Sequence, residues 1–172
     1  QVVPWARLYF SLEKELKFAG FSMTSTPVRA LNFTLIPIPL TSKISILVLS
    51  QNKEKLKVKP QNELTIAVVR EDIGQKLLKE LNFPAKQVET GSAVNILKML
   101  VHKRVDAIAY SDNLAYFQYN KLGLTNDHLV SLYTLDDEAT TNYIFHKNTS
   151  ACVISLFSET INALHQQGKL DS

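Results

Sequence analysis

The sequence predicts an α/β fold built on a mainly parallel sheet. Short apolar runs alternate with amphipathic segments of about ten residues, which is the pattern of strands joined by crossover helices. The run LTIAVV at 64–69 is apolar at almost every position, as in a strand that is buried on both faces. With 172 residues, of which 45% are hydrophobic and 20% charged, the chain can bury its own core as one domain or two small lobes.

The first part of the chain is predicted to begin with a helix at 1–18, because apolar side chains recur there at helical spacing. These side chains are Trp5, Leu8, Leu12 and Leu16. Gly20 is expected to end the helix. A short strand or loop rich in hydroxyl groups follows at 21–26, and a longer strand at 36–49 begins with two prolines. A polar, lysine-rich connection is expected at 51–63.

Strands and helices alternate through the rest of the chain. Asp72 is expected to cap the helix that follows the strand at 64–69. The acidic run DDE at 136–138 is expected to form a solvated loop. The further predicted strands lie at 87–89, 105–110, 129–135 and 142–145, and the predicted helices lie at 73–81, 92–102, 113–121 and 153–166.

Four lysines alternate within the polar connection, in a chain whose net charge is +3. They are Lys53, Lys55, Lys57 and Lys59. One interpretation is a patch that binds anions or nucleic acid. The other is a solvated loop or an edge strand protected by its lysines. The second is favoured because no aromatic residues are interleaved for base stacking, and no nucleic-acid partner is expected.

Motifs for catalysis, cofactors and metals are absent from the sequence. It contains no GxSxG or SxxK nucleophile motif, no Walker motif and no GxGxxG. The four histidines lie far apart, and Cys152 is the single cysteine, which excludes an internal disulfide and a cysteine-based zinc site. No apolar run reaches about 18 residues, so no membrane span is predicted. The sequence therefore predicts a protein that is not an enzyme and uses no metal and no cofactor.

Three features are suited to recognising a small polar ligand. Arg29 follows a hydroxyl-rich segment, and a guanidinium can pair with a carboxylate through two hydrogen bonds. Residues 70–74 lead into a helix whose first N–H groups can bind an anion. The sequence YSD at 110–112 closes a strand at its carboxyl end, where ligands bind in open α/β sheets. The ordinary alternatives are a surface arginine, a helix cap and a loop acid.

Four segments, in this order and over essentially the whole chain, resemble those of one family. They are VPWARL (3–8), TPVRALNFTLIPIPL (26–40), LVHKRVDAIAY (100–110) and NYIFHKNTS (142–150). The sequence resembles the bacterial extracytoplasmic solute-binding proteins of family 3, the polar amino-acid receptors of ABC transporters. The match departs from the family at Lys103, where glycine is usual.

The resemblance implies a two-lobed periplasmic-binding-protein fold of type 2, with the ligand held between lobes that close by a hinge. Lobe two would be 46–140, and lobe one would be 1–45 plus 141–172. The strands that open lobe one in the family have no counterpart here, so lobe one is expected to be incomplete. An exposed sheet edge there would favour a domain-swapped or edge-paired dimer.

The resemblance also assigns roles to individual residues. Arg29 matches the arginine that grips the carboxylate of the ligand. Ser22 and Thr24 match a segment that offers backbone and hydroxyl groups. The remaining positions form the second lobe's part of the site, with Ser111 or Asp112 on the ligand's amine: Asp72, Ile73, Tyr110, Ser111 and Asp112.

The expected function is that of a periplasmic receptor, which captures a small polar, amino-acid-like ligand and delivers it to an ABC permease in the inner membrane. A ligand-sensing module of a signalling receptor or regulator shares this fold and is the main alternative. An enzyme of the dehydratase type is disfavoured because no acid–base set converges. A truncated form that binds no ligand is the last alternative.

Overall fold

The computed structural model describes residues 3–16, 18–124 and 127–170. The chain divides into two compact units. Unit 1 comprises Gln1–Ala6 and Ser42–Glu138, and unit 2 comprises Arg7–Thr41 and Ala139–Ser172. The division at 45 and 140 drawn from the resemblance stays a prediction.

The elements follow one another as helices and strands, with two 3-10 turns at Ser50–Asn52 and Gln61–Glu63. In chain order they are α1 (Trp5–Lys14), β1 (Ala19–Thr24), α2 (Pro27–Asn32), β2 (Phe33–Leu49), α3 (Lys53–Lys57), β3 (Thr65–Val69), α4 (Ile73–Glu80), β4 (Lys86–Thr90), α5 (Ala93–Val101), β5 (Ala107–Ser111), α6 (Asp112–Lys121), β6 (Leu129–His146) and α7 (Ala151–Gln166). Each of the four later predicted helices is confirmed to within two residues at either end, as α4, α5, α6 and α7. Among the described residues, no helix combines the length and the apolar character needed to cross a bilayer.

The sheet of unit 1 has the strand order β2-β5-β3-β4. Strand β3 runs parallel to both β4 and β5, as predicted from the alternation of strands and helices. Strand β2 breaks the parallel pattern, because its segment 44–47 pairs antiparallel with β5. The sheet is therefore mixed, and its parallel strands β3, β4 and β5 are joined through the helices α4 and α5.

Alternate side chains of these strands enter two separate cores. On β2, Leu47 lies in one buried cluster and Ile46 in the other. On β3, Val69 lies in the first of these clusters and Val68 in the second. Helices α5 and α6 cover the first cluster, and α4 contributes to the second. The continuous apolar runs of the sequence are explained by this arrangement, since a strand covered on both faces needs apolar residues at every position.

Glycine at position 74 lets α4 lie unusually close to β5. A Cβ at Gly74 would stand 2.2 Å from the carbonyl oxygen of Ala109, which is far inside van der Waals contact. The backbone of β5 therefore occupies the space that a side chain would need. This contact brings the start of α4 beside the carboxyl end of β5.

Unit 2 has a smaller core. Strand β1 pairs antiparallel with β6, and no strand of the described residues lies on its other side. A buried cluster of Ile36, Phe145 and Ile161 joins β2, β6 and α7. The rings of Phe145 and Phe157 stack edge-to-face at 4.9 Å between centroids. Of the sixteen residues of α7, only Ile161 is buried.

The prediction that the first helix extends to Gly20 is wrong. Helix α1 ends at Lys14, and Gly20 lies within β1. A Cβ at Gly20 would approach the Leu12 side chain to 2.9 Å. Gly20 is therefore needed for close packing against α1 and not as a helix end. Gln1, Val2 and Lys17, which the predicted helix included, lie outside the described residues.

Two local structures in the first part of the chain differ from the prediction. Residues 27–32 form the short helix α2, capped by Thr26, whose hydroxyl accepts from the Arg29 N–H at 3.2 Å. The lysine-rich connection contains the helix α3, so it is neither an open loop nor an edge strand. Leu56 is the one buried residue of α3, and its burial explains why this polar segment becomes ordered.

The acidic run at 136–138 is not a loop. The two strands predicted around it are a single strand, β6, of eighteen residues. In isolation, the acidic run would be more stable as a solvated loop. The pairing of β6 within the sheet overrides that preference. In helix α5 the buried side chains are Ile96, Leu97 and Leu100.

Candidate functional site

The carboxyl ends of β3 and β5 form the polar edge of unit 1. Parallel neighbours end at the same side of a sheet, so the turn after β3 and the start of α6 meet here. Ser45 of β2 lies opposite Tyr110 of β5 in the antiparallel register. The structure therefore brings together most of the unit 1 positions that the resemblance singled out.

The turn after β3 is fixed by a hydrogen-bond network. Glu71 has a φ of 61°, in the left-handed region, and its N–H donates to Gln75 Oε1 at 2.9 Å. The indole N–H of Trp5 donates to the Glu71 carbonyl at 2.9 Å. The buried Gln75 in turn donates to Glu89 Oε1 at 2.6 Å. These contacts hold the turn in one conformation and thereby fix the position of Asp72 at the start of α4.

Asp72 is the cap of α4, as predicted. Its Oδ1 accepts the Ile73 N–H at 2.8 Å. That N–H is the group that the sequence offered for binding a ligand's anion, and here it binds the protein's own carboxylate. The start of α4 therefore presents negative charge, which repels a ligand carboxylate and attracts a ligand cation.

Tyr110 carries a protonated phenol at this edge. Burial raises the pKa of its hydroxyl well above the ordinary value, and the negative charge of Asp72 raises it further. The influence of Asp72 also shows that the two side chains lie near each other. Tyr110 is thus a hydrogen-bond donor at any physiological pH.

Asp112 begins α6 directly after Ser111, which is the N-cap residue. Burial raises the pKa of the Asp112 carboxyl, while the nearby Ser45 hydroxyl and the Lys43 ammonium act in the opposite direction. Asp112 Oδ1 is buried and has no hydrogen-bond partner among the described residues. Ser45 Oγ, although close enough to favour the ionised carboxylate, likewise has no partner in hydrogen-bonding geometry within the described chain.

Two buried polar atoms without partners in one small region call for an explanation, because such atoms nearly always find a hydrogen bond. A carboxylate oxygen and a hydroxyl oxygen together can accept hydrogen bonds from an ammonium group. The chemistry of this edge is therefore that of a cation acceptor.

Sequence reasoning did not find Ser45 and Lys43. A signal was present, because Ser45 is the one polar residue within the apolar run ISILVL at 44–49. A polar residue that interrupts a strand buried on both faces must have a partner or a function. Nothing in the sequence alone connected it with Asp112, which is 67 positions away.

Arg29 lies in unit 2 and is fully buried, with an exposure of 0%. Its Nη1 donates to the carbonyl oxygen of Thr24 at 2.9 Å. Ser22 and Thr24 belong to β1 and are half-buried. The guanidinium thus joins the end of β1 to α2. The assignment of Arg29 to a ligand carboxylate, and of Ser22 and Thr24 to a segment that offers backbone and hydroxyl groups, stays a prediction.

Metal ligands do not group together in the part of the chain that the structure describes. No three His, Cys, Asp or Glu side chains there are arranged as a metal site. The groups available for recognition are hydroxyls, carboxylates and ammonium groups, which suit a small polar molecule.

Comparison with known proteins identifies the fold. No protein-family model and no curated protein sequence matches the chain. Among solved structures, an amino acid ABC transporter substrate-binding protein from Streptococcus pneumoniae, bound to L-arginine, superposes with a TM-score of 0.84. The match covers 99% of this chain and 71% of that one, at 18% identity. The chain has the fold of these binding proteins.

Two further structures show how widely the fold is used. A histidine kinase sensor domain similar to periplasmic binding proteins matches with a TM-score of 0.79 at 17% identity, over 98% of this chain and 72% of its own. An ancestral amino acid-binding protein, a precursor of cyclohexadienyl dehydratase, gives the same score, identity and coverages. The predicted type 2 periplasmic-binding-protein fold is confirmed, and this chain spans about seven tenths of each neighbour's length.

Proposed function

We propose that the chain is a binding protein for a small polar, amino-acid-like ligand, and that Asp112 receives the ligand's ammonium group. The observation that carries the proposal is the buried Asp112 Oδ1 at the polar edge of unit 1, which has no partner in good hydrogen-bonding geometry in the described chain and lies next to the buried Ser45 hydroxyl. A ligand ammonium would satisfy both atoms. It would also favour the ionised form of Asp112, which opposes the rise in pKa that burial causes.

The charges at this edge favour a ligand with more than one positive group. Asp72 and Asp112 contribute two carboxylates, and Lys43 contributes one ammonium. A neutral amino acid offers one ammonium and one carboxylate, whereas a basic amino acid offers a second cation. The solved neighbour that holds L-arginine supports this choice of class.

The proposed role in the cell is supported by one of the same neighbours. Delivery of the ligand to an ABC permease, from the periplasm, is the function of the expected receptor type, and the substrate-binding protein from Streptococcus pneumoniae supports it. No chemical conversion of the ligand is part of the proposal. On the resemblance alone, Arg29 is assigned to the ligand's carboxylate, and Ser22 and Thr24 to a segment that offers it backbone and hydroxyl groups.

The test is calorimetric titration of the 172-residue chain with a panel of amino acids that includes L-arginine, L-lysine and neutral members. Asp112→Asn keeps the shape of the side chain and removes its charge, so it is expected to weaken binding of the best ligand about tenfold or more. Asp137→Asn is the matched control, since Asp137 is exposed on β6 and loses the same charge. Equal affinities in both variants, or no binding by the parent chain, would exclude Asp112 as the ammonium site.

A stability measurement separates lost binding from misfolding. Since the pKa of Asp112 is raised in the folded chain, the folded state retains a proton that the unfolded state has lost. Its contribution to the free energy of unfolding therefore decreases as the pH rises above the ordinary value of 3.8 and through the raised one. Without ligand, Asp112→Asn should be slightly more stable than the parent at pH 7 and equally stable below pH 3.8. A variant that is more stable yet binds less has lost a contact and not its fold.

A second candidate function is ligand sensing within a signalling receptor. The histidine kinase sensor domain with the same fold supports it. Both functions use the same ligand site, so binding alone does not separate them. The adjoining coding sequence does: a kinase region favours the sensor, and a leader peptide with neighbouring permease genes favours the transport receptor.

A further inference from the structure

Three lysines of unit 1 line a cavity of about 390 Å³, away from the residues assigned above to amino-acid binding. Lys55 comes from α3, Lys59 follows that helix, and Lys103 follows α5. The same cavity is lined by Asp106 and by the buried Leu56 and Leu100. Its volume lies within the range of about 300–1,000 Å³ that is typical of small-molecule sites.

The charges in this cavity do not cancel. Lys59 Nζ pairs with Asp106 Oδ2 at 2.9 Å, and the same oxygen accepts the Thr65 N–H at 2.9 Å. Neither Lys55 nor Lys103 is in an ion pair with a described residue. Lys55 and Lys103 are exposed, so the three ammonium groups and one carboxylate give this cavity two net positive charges that an anion in solution can reach.

Lys103 stands in a backbone conformation that favours glycine. Its φ is 55°, in the left-handed region, at the C-terminal end of α5. The Arg104 N–H reaches back to the Met99 carbonyl at 2.9 Å, which is the hydrogen bond of a Schellman cap with Lys103 at its left-handed position. Glycine occupies that position without strain, whereas a residue with a Cβ is strained there. Lysine at this position therefore has a cost in stability, and Lys103 is one of the residues that line the cavity.

We propose that this cavity binds a small, doubly charged oxyanion of the phosphate type, with Lys55 and Lys103 as its cationic ligands. Lys59 forms an ion pair with Asp106 and is the third lysine of the cavity lining. Lysine recognises phosphate as a compact point charge with three rotatable donors, and two unpaired ammonium groups match a dianion in charge. No aromatic side chain lines the cavity, so no ring is available there to stack on a nucleic-acid base.

The test uses the full chain and four proteins: the parent, Lys103→Gly, Lys55→Gln and Lys57→Gln. Lys57 is exposed on α3 and is not among the cavity residues, so Lys57→Gln is the charge-matched control. Thermal unfolding is followed during titration with inorganic phosphate and with pyrophosphate, against sodium chloride at equal ionic strength. We expect a Tm increase that saturates for the parent and for Lys57→Gln, and an apparent Kd about tenfold higher in the other two.

Lys103→Gly gives the decisive contrast. Removing the strained side chain should raise the Tm of the anion-free protein, while the response to phosphate weakens. A protein that is more stable and yet binds less phosphate has lost a ligand and not its fold. A merely structural Lys103 would leave the phosphate titration of this variant unchanged.

The phosphate group could belong to a free ion or to a lipid headgroup, and vesicles separate the two sources. Cosedimentation with phosphatidylcholine vesicles that contain phosphatidate, abolished by Lys103→Gly and by Lys55→Gln, would assign a headgroup. Saturable stabilisation by phosphate without cosedimentation would assign a soluble anion. The proposal is overturned if neither probe binds, or if all four proteins respond equally.

Discussion

The two units of this chain cover their apolar side chains to different degrees. In unit 1, the nine-residue helix α5 buries Ile96, Leu97 and Leu100. In unit 2, the sixteen-residue helix α7 buries only Ile161. Nine of the exposed large apolar side chains lie in unit 2 and five in unit 1, although unit 2 is the smaller. Helix length therefore says little about stability unless a second layer covers the apolar face.

The difference follows from how each unit builds its layers. Unit 1 covers both faces of its sheet, so alternate residues of each strand reach a core. Among the described residues, unit 2 buries nine apolar side chains and unit 1 buries twenty-three. The proposed ammonium site at Asp112 and the proposed anion cavity both lie in unit 1, where the core is larger.

The largest loss of stability is expected from Gly74→Ala, which disturbs the close packing of α4 on β5 in unit 1. The new Cβ would meet the Ala109 carbonyl at 2.2 Å, so α4 must move away from β5. We expect the free energy of unfolding to fall by about 4 kcal/mol, as measured by urea denaturation followed by circular dichroism. Gly91→Ala is the control, because nothing lies within 4 Å of a Cβ there. Similar small losses in both variants would show that α4 does not depend on this contact.

A paired truncation compares the two cores directly. Leu97→Ala in unit 1 removes a side chain with 0% exposure, and Ile161→Ala in unit 2 removes one with 6%. We expect losses of about 3 and 2 kcal/mol respectively, because the cavity at Ile161 lies nearer to solvent and can relax. Urea unfolding monitored separately by the fluorescence of Trp5 and by circular dichroism measures both. A larger loss at Ile161 would contradict the weaker packing of unit 2.

The smallest effect is expected on the open surface of unit 2. Leu31 and Leu156 are exposed by 81% and 62%, so Leu31→Lys and Leu156→Lys remove few contacts. Each should change the free energy of unfolding by less than about 0.5 kcal/mol while lowering the binding of a hydrophobic dye. Sedimentation of the same variants tests the predicted dimer, which should weaken as the apolar surface becomes charged. A loss of several kcal/mol would show that these side chains are covered in solution.

Much of the fold was predictable because its signals are local. The apolar run at 64–69, the cap at Asp72 and the helical periodicity before Gly168 each depend on neighbours within a few positions. The failures occurred where distant pairing decides. The acidic run at 136–138 extends as strand because β6 is paired, and Gly20 serves packing against Leu12 and not the end of a helix.

The sequence by itself determined the alternation of strands and helices, the resemblance to amino-acid receptors and the polar positions at strand ends. Those features follow from composition and spacing along one chain. Only the tertiary structure decided that Ser45 lies near Asp112 and that the Asp72 carboxylate binds the first N–H of α4. It also decided that Lys55, Lys59 and Lys103 line one cavity. The physical reason is that desolvation and the summing of charge depend on which side chains the fold places together, and distance along the chain does not encode that.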